Sequence, residues 1–147
     1  MNLKILEDAD WTADDKRDIL NFISVPAYNG GHELPEGASL ADVFEQIKTR
    51  SLGIWADGLP TLCLSIAPID DQRMTGLFHA AGDRRLPFGV VEKVSKAWLG
   101  KLAQGGYSVR AFTSIKAVAR AARRIGFEDW GHDPQTGDWV GAFRLHN

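Results

Sequence analysis

The sequence has 147 residues, 44% of them hydrophobic and 24% charged, with a formal net charge of −2. That length and composition suit one globular domain with a real core, read over residues 1–147, and exclude a disordered chain. The charge balance lacks the broad basic excess of a protein that coats nucleic acid, so a nucleic-acid partner is not expected.

Cys63 is the only cysteine, which rules out an intramolecular disulfide and a four-cysteine metal site and suits a reducing compartment. The first ten residues carry acids and no apolar stretch, so no secretory signal is read. No apolar run reaches the roughly 18 residues that span a bilayer. A cytoplasmic protein without a membrane partner is the expectation.

Leu3 to Asp8 reads as a first strand, with Leu3 and Ile5 alternating against Lys4. Thr12 with Asp15 three residues on is an N-cap pattern, and Ile19, Phe22 and Ile23 form the helical stripe behind it, broken near Pro26. Tyr28 to Gly37 is a loop by composition. Ser39 and Asp42 repeat the capping signal before Leu40, Val43, Phe44 and Ile47, an amphipathic helix.

After Arg50 the period changes to two. Leu52, Ile54 and Ala56 alternate, Asp57-Gly58 is a hairpin turn, and Leu62, Leu64 and Ile66 alternate on the return. A polar turn at Asp70 and Asp71 leads to a strand at about Thr75 to Ala81, completing an antiparallel meander. From Phe88 the helical period returns in Val91, Val94, Trp98 and Leu102 and stops at Gly105-Gly106. Val109 to Thr113 is a short strand. Ser114 is placed to cap a helix with Val118, Ala121, Ala122 and Ile125 on its apolar face, ending at Gly126 with Phe127 beyond. Glu128 to His132 and Asp138 to Leu145, with Trp139, Gly141, Phe143 and Leu145 on one face, read as a final hairpin.

The predicted order is therefore β-α-α-β-β-β-α-β-α-β-β, an α/β chain with a mixed sheet. Right-handed crossovers around the fifth strand are expected to put the third and fourth helices on opposite faces of that sheet.

This order, with the stretch Arg84-Arg85-Leu86-Pro87-Phe88-Gly89 before the third helix and Arg124-Ile125-Gly126-Phe127 closing the fourth, resembles the GNAT superfamily of acyl-CoA N-acyltransferases over nearly the whole chain. There the family carries Q/R-x-x-G-x-G/A, whose backbone N–H groups at a helix N-terminus meet the pyrophosphate of coenzyme A. The resemblance implies acetyl-CoA as cofactor and assigns its binding to Ala80, Ala81, Arg84, Arg85, Phe88, Gly89 and Val90. His79 to Ala81 and Val109 to Phe112 would flank the pantetheine arm, and a strand N–H would meet the thioester carbonyl. The acceptor it implies is an amine on a small molecule or a peptide. Three positions depart from the pattern: Pro87 at the first glycine, with no N–H to donate; Ala122 where many active members carry a tyrosine; and Ile115 where asparagine is common. Such erosion resembles divergent members encoded by tailed bacteriophages, some of them virion-associated.

An amine acceptor must lose a proton before it attacks, so His79 is the candidate catalytic base, with Asp83 and the pair His32-Glu33 as alternatives. The competing reading of His79 is a strand histidine with both ring nitrogens satisfied. Cys63 is either a thiol acid or a buried structural cysteine. Lys116, Arg120, Arg123 and Arg124 make one helix face basic, fit for a cofactor phosphate, an acidic partner or plain solvation, with Arg123 read as facing solvent. His32, His79, His132 and His146 lack metal-ligand spacing, and no metal is expected. Trp98 is read as core, while Trp11, Trp55, Trp130 and Trp139 are candidate anchors for a protein partner. Two functions stand at this point: an acyl-CoA-dependent N-acetyltransferase, and a non-catalytic interaction or structural protein on the same scaffold, such as a virion component.

Overall fold

The described residues fold into seven strands and four α-helices in the predicted order. They are β1 (Leu3–Glu7), α1 (Ala13–Ile23), α2 (Leu40–Glu45), β2 (Arg50–Ala56), β3 (Leu59–Pro68), β4 (Met74–Ala81), α3 (Phe88–Gln104), β5 (Ser108–Thr113), α4 (Lys116–Ile125), β6 (Phe127–His132) and β7 (Trp139–Phe143). The computed structural model describes residues 1–32, 34, 36–45, 50–68 and 74–144. Ile47, the Asp70-Asp71 turn, Glu33, Leu145 and His146 lie outside the described residues, as do the side chains of Val43 and Phe44. The strands form one mixed sheet in the order β1-β2-β3-β4-β5-β7-β6. No described helix is long and apolar enough to cross a membrane.

The chain divides into two compact units, Met1–Ala67 with Phe78–Leu86, and Pro68–Leu77 with Pro87–Asn147. In the first, α1 starts where the sequence says it should. Thr12 accepts from the Asp15 N–H at 3.1 Å, and the Asp15 carboxylate accepts from the Thr12 N–H at 3.0 Å, a complete capping box. Lys4 from β1 reaches the same carboxylate at 2.7 Å. Ser39 and Asp42 repeat the exchange at the start of α2. The apolar stripe of α1 then packs Ile19, Phe22 and Ile23 with Leu40, Trp55, Cys63 and Ala80. β2 is buried on both faces from Ser51 to Ala56, with the Ser51 and Ser65 hydroxyls hydrogen-bonded at 2.6 Å between β2 and β3. The Asp57-Gly58 turn takes φ of 50° and 84°, the left-handed pair that a tight hairpin requires.

In the second unit β4 runs parallel to β5 over Met74–Gly76, and β7 pairs antiparallel with both β5 and β6. The helices α3 and α4 touch one another: the Phe88 ring of α3 lies 4.4 Å from the Arg124 guanidinium of α4, which also pairs with Glu92 at 3.4 Å. Helices on opposite faces of a sheet stand about 20 Å apart and cannot make such contacts, so the expected opposite placement is corrected. The reason is topological. The chain moves in one direction across the sheet, from β4 to β5 and on past β7 to β6, which is parallel to β5. Successive right-handed crossovers in one direction lay their helices on the same face. Opposite faces require the direction to reverse at β5.

Two local expectations are also corrected. Ser114 does not cap α4; Ile115 stands at the cap position, and its N–H is taken by the Thr113 hydroxyl at 3.0 Å. The buried residues of α4 are Ala119 and Ala122, so the helix is rolled slightly from the predicted face. Gly126 does terminate it, at φ 126°.

Candidate functional site

The N-terminus of α3 carries the features of an anion cradle, in reduced form. Pro87 holds the cap position with φ −56° and ψ 126°, and its carbonyl accepts from the N–H groups of Val90 at 3.0 Å and Val91 at 3.3 Å. Val90 is therefore committed within the helix, which corrects its assignment as a donor to cofactor. The N–H groups of Phe88 and Gly89 have no partner among the described residues, and a side chain on Gly89 would meet open space. Two backbone donors at the positive end of a 17-residue helix are left for a ligand. The Arg124 guanidinium lies over the Phe88 ring at this end, paired with Glu92 at 3.4 Å.

Arg84, assigned to phosphate by resemblance, is engaged elsewhere. Its guanidinium donates to the Ala56 carbonyl at 3.1 Å and pairs with Asp57 at 3.0 Å, holding the β2–β3 turn. The Asn2 N–H and then Arg84 keep the Asp57 carboxyl below its ordinary range. Arg85 is exposed. Ala80 is buried in the core of the first unit, and Ala81 is exposed at the strand end.

His79 lies on β4 and is brought against His32, from the loop between α1 and α2. The His79 N–H donates to Nε2 of His32 at 3.1 Å, and the same Nε2 stands 3.2 Å from Nδ1 of His79. An Nε2 that accepts a backbone N–H carries its lone pair toward that donor, so neutral His32 holds its proton on Nδ1. Burial pushes the His79 imidazole down to about 4, with the neighbouring His32 adding to the effect, and burial lowers His32 as well. Both rings are neutral at pH 7. The loop is held by Asn29, whose side chain donates to the His32 carbonyl at 3.2 Å and accepts from the Gly31 N–H at 3.0 Å. Gly30 and Gly31 take φ of 65° and 78°.

Asp83, another candidate base, accepts from the Tyr28 hydroxyl at 3.2 Å and holds the phenol in its protonated form. Tyr28 opens the stretch whose composition predicts only a loop, and no local pattern there indicates its bond to Asp83. Cys63 is a buried structural thiol, pushed up to about 12 by desolvation and unfit as an acid at neutral pH. Of the tryptophans, Trp55, Trp98 and Trp139 are buried, Trp11 is partly buried and only Trp130 is exposed, with Arg110 stacked on it at 3.2 Å. Arg123 does not merely face solvent. It pairs with Asp129 at 2.7 Å and lies over Trp139, whose Nε1 donates to the same carboxylate.

A separate pocket of about 580 Å³ opens at the start of α4, lined among others by Lys116, Arg120, Arg123, His132, Asp138 and Trp139. None of the residues assigned to cofactor lines it. Among the described residues no group of three or more His, Cys, Asp or Glu is placed to hold a metal ion.

The sequence matches no family model and no curated protein, whereas many solved structures share the fold. An acetyltransferase of the GNAT family from Streptococcus pneumoniae superposes with a TM-score of 0.68 at 12% identity, covering 98% of this chain and 100% of its own. The PaiA N-acetyltransferase from Thermoplasma acidophilum, in complex with coenzyme A, gives 0.63 at 9% identity over 99% and 100%. AAC(6')-Ib, in complex with ribostamycin and coenzyme A, gives 0.63 at 15% identity over 97% and 93%. This chain therefore has the GNAT acetyltransferase fold from end to end.

Proposed function

We propose that the protein transfers an acyl group from acyl-CoA, acetyl-CoA in the first instance, to an amine. The observation that carries this reading is the pair of unused N–H groups, Phe88 and Gly89, at the start of α3, with Arg124 beside them, on a fold shared with acetyltransferases solved with coenzyme A. When bound, the cofactor supplies an activated thioester. The chain's own contribution is to hold its phosphates with two backbone donors, the helix dipole and Arg124, so that acyl carbon and amine meet without translational searching. Pro87 removes one donor from this cradle and leaves the helix start intact. The neutral imidazole of His79 offers one ring nitrogen as a proton acceptor. With its pKa near 4 it is always in the accepting form at neutral pH but is a weak base. The acceptor is an amine of a small molecule or peptide, as ribostamycin is a small molecule held by AAC(6')-Ib.

The test is binding of free coenzyme A, read as a shift in the thermal melt. At about 100 times the dissociation constant the stabilisation is roughly 2.7 kcal/mol. Gly89→Pro should abolish the shift, because it deletes a donor at a position where proline does not break a helix. Arg124→Ala should weaken binding about threefold, as for an exposed ion pair, while Arg84→Ala, whose guanidinium is spent on the β2–β3 turn, should change it less. A flat melt with millimolar coenzyme A and acetyl-CoA, in folded protein, overturns the reading and leaves an interaction scaffold.

A further inference from the structure

β4 offers two edges, and their hydrogen bonds alternate along the strand. The Gly82 N–H, continuing the line of β4, donates to Thr61 of β3 at 3.0 Å. By alternation the N–H and C=O of His79, an odd number of residues away, face the other edge. That is the edge β4 presents to β5 over Met74–Gly76, where the ladder stops. At His79 the edge is covered instead by the loop that follows Pro26. A Cβ on Gly30 would collide with the His79 carbonyl oxygen and would stand 2.7 Å from its Nε2, so only glycine lets the loop approach this closely. Two residues on, the His32 ring takes the His79 N–H, packed against Phe78 at 5.2 Å between centroids and edge-on to His79 at 4.9 Å. The Asn29 bonds to Gly31 and His32 brace the turn from within.

A main-chain N–H in mid-strand, facing an edge with no neighbouring strand, is a donor for the carbonyl oxygen of an acyl group, whose charge grows as it is attacked. Here the donor is already used by a ring nitrogen of the same chain. We propose that His32 is a specificity-determining residue of the acyl site: its Nε2 stands in for the acyl carbonyl on the His79 N–H, and an acyl donor has to displace it to engage that group. This rests on the acyl-transfer reading above. A carbonyl oxygen and the imidazole lone pair compete for one hydrogen, whereas free coenzyme A, which has no acyl carbonyl, does not enter the competition. His32 therefore lowers the preference for acylated over free cofactor, and the Asn29–His32 turn moves when the acylated form binds.

The preference is measured as the ratio of dissociation constants for acetyl-CoA and coenzyme A by calorimetry. His32→Ala frees the N–H and should shift the ratio about five- to tenfold toward acetyl-CoA, the worth of one hydrogen bond no longer contested. His32→Gln offers an amide oxygen to the same N–H and should restore the wild-type ratio. An unchanged ratio in His32→Ala, with both ligands binding, overturns the role of His32 and leaves acyl transfer standing. Absence of binding of either ligand to wild type and variant overturns both. A second readout needs no variant. An N–H···N hydrogen bond carries a through-bond coupling between its two nitrogens, so the free protein labelled with ¹⁵N should show one between the His79 amide and His32 Nε2. It should persist with saturating coenzyme A and vanish with acetyl-CoA; persistence with both overturns the proposal.

Discussion

His79 illustrates how one residue's surroundings set its chemistry. Its imidazole ordinarily titrates near 6.5 and is held down to about 4 in the fold. Between those values the unfolded chain binds a proton that the folded chain refuses, so the stability is fully present above about pH 6.5 and is lost as pH falls toward 4. His32, lowered in the same direction, adds to the loss. Urea unfolding at pH 7 and pH 4.5 should differ by roughly 2 kcal/mol from His79 alone, less than the whole shift because part of the ring stays accessible. His79→Gln should flatten most of that difference, and equal slopes against pH for wild type and variant would contradict it. At Asp15 the sign is the usual carboxylate one: Lys4 and the Thr12 N–H hold it below its ordinary value, so its contribution disappears only at lower pH, as the folded group protonates.

Among the elements, α4 depends on its two ends in different ways. At its C-terminus Gly126 has φ 126°, and a Cβ there would come 3.0 Å from the Phe143 ring. Gly126→Val should cost several kcal/mol, on the order of 2–4, combining backbone strain with a clash in a packed hairpin. Arg123→Ala should cost less, about 1 kcal/mol, through the loss of an exposed ion pair and a cation–π contact with Trp139. Chemical denaturation of both variants checks the order, and equal midpoints would mean that Gly126 is not a strained terminus. At the start of α1 Thr12→Ala should cost about 1 kcal/mol, since it removes the acceptor for the Asp15 N–H.

Across the whole molecule protection from hydrogen exchange should follow burial along the strands. β2 and β3 are central, and their residues from Ser51 to Ala56 and from Cys63 to Ala67 are buried. β6 is an edge strand on which only Phe127 is buried. Amides of Cys63 to Ile66 should exchange slowest, and those of Glu128 to His132 with no inward partner should exchange fastest, by orders of magnitude. Uniform protection across β3 and β6 would contradict this gradient.

The element order was legible because its signals are local. Thr12 with Asp15, Asp57-Gly58 and Gly126-Phe127 each fix a few dihedral angles through neighbours in the chain, and the periods of two and 3.6 separate strand from helix. The α3 N-terminus was legible for the same reason, down to the missing donor at Pro87. What the sequence left open depends on pairs far apart in the chain. Whether α3 and α4 share a face follows from the order in which strands are laid down, which no helical period encodes. Arg84 has a phosphate role by resemblance alone, and the partners that engage it instead, Ala56 and Asp57, lie 28 and 27 positions away in the chain. His32 and His79 are separated by 47 positions; nothing in either segment indicates that one ring caps the other's amide. Local rules fix the elements because backbone hydrogen bonding and rotamer preference act over a few residues. The site was decided by tertiary structure because hydrogen bonds between distant segments exist only once packing has brought those segments together.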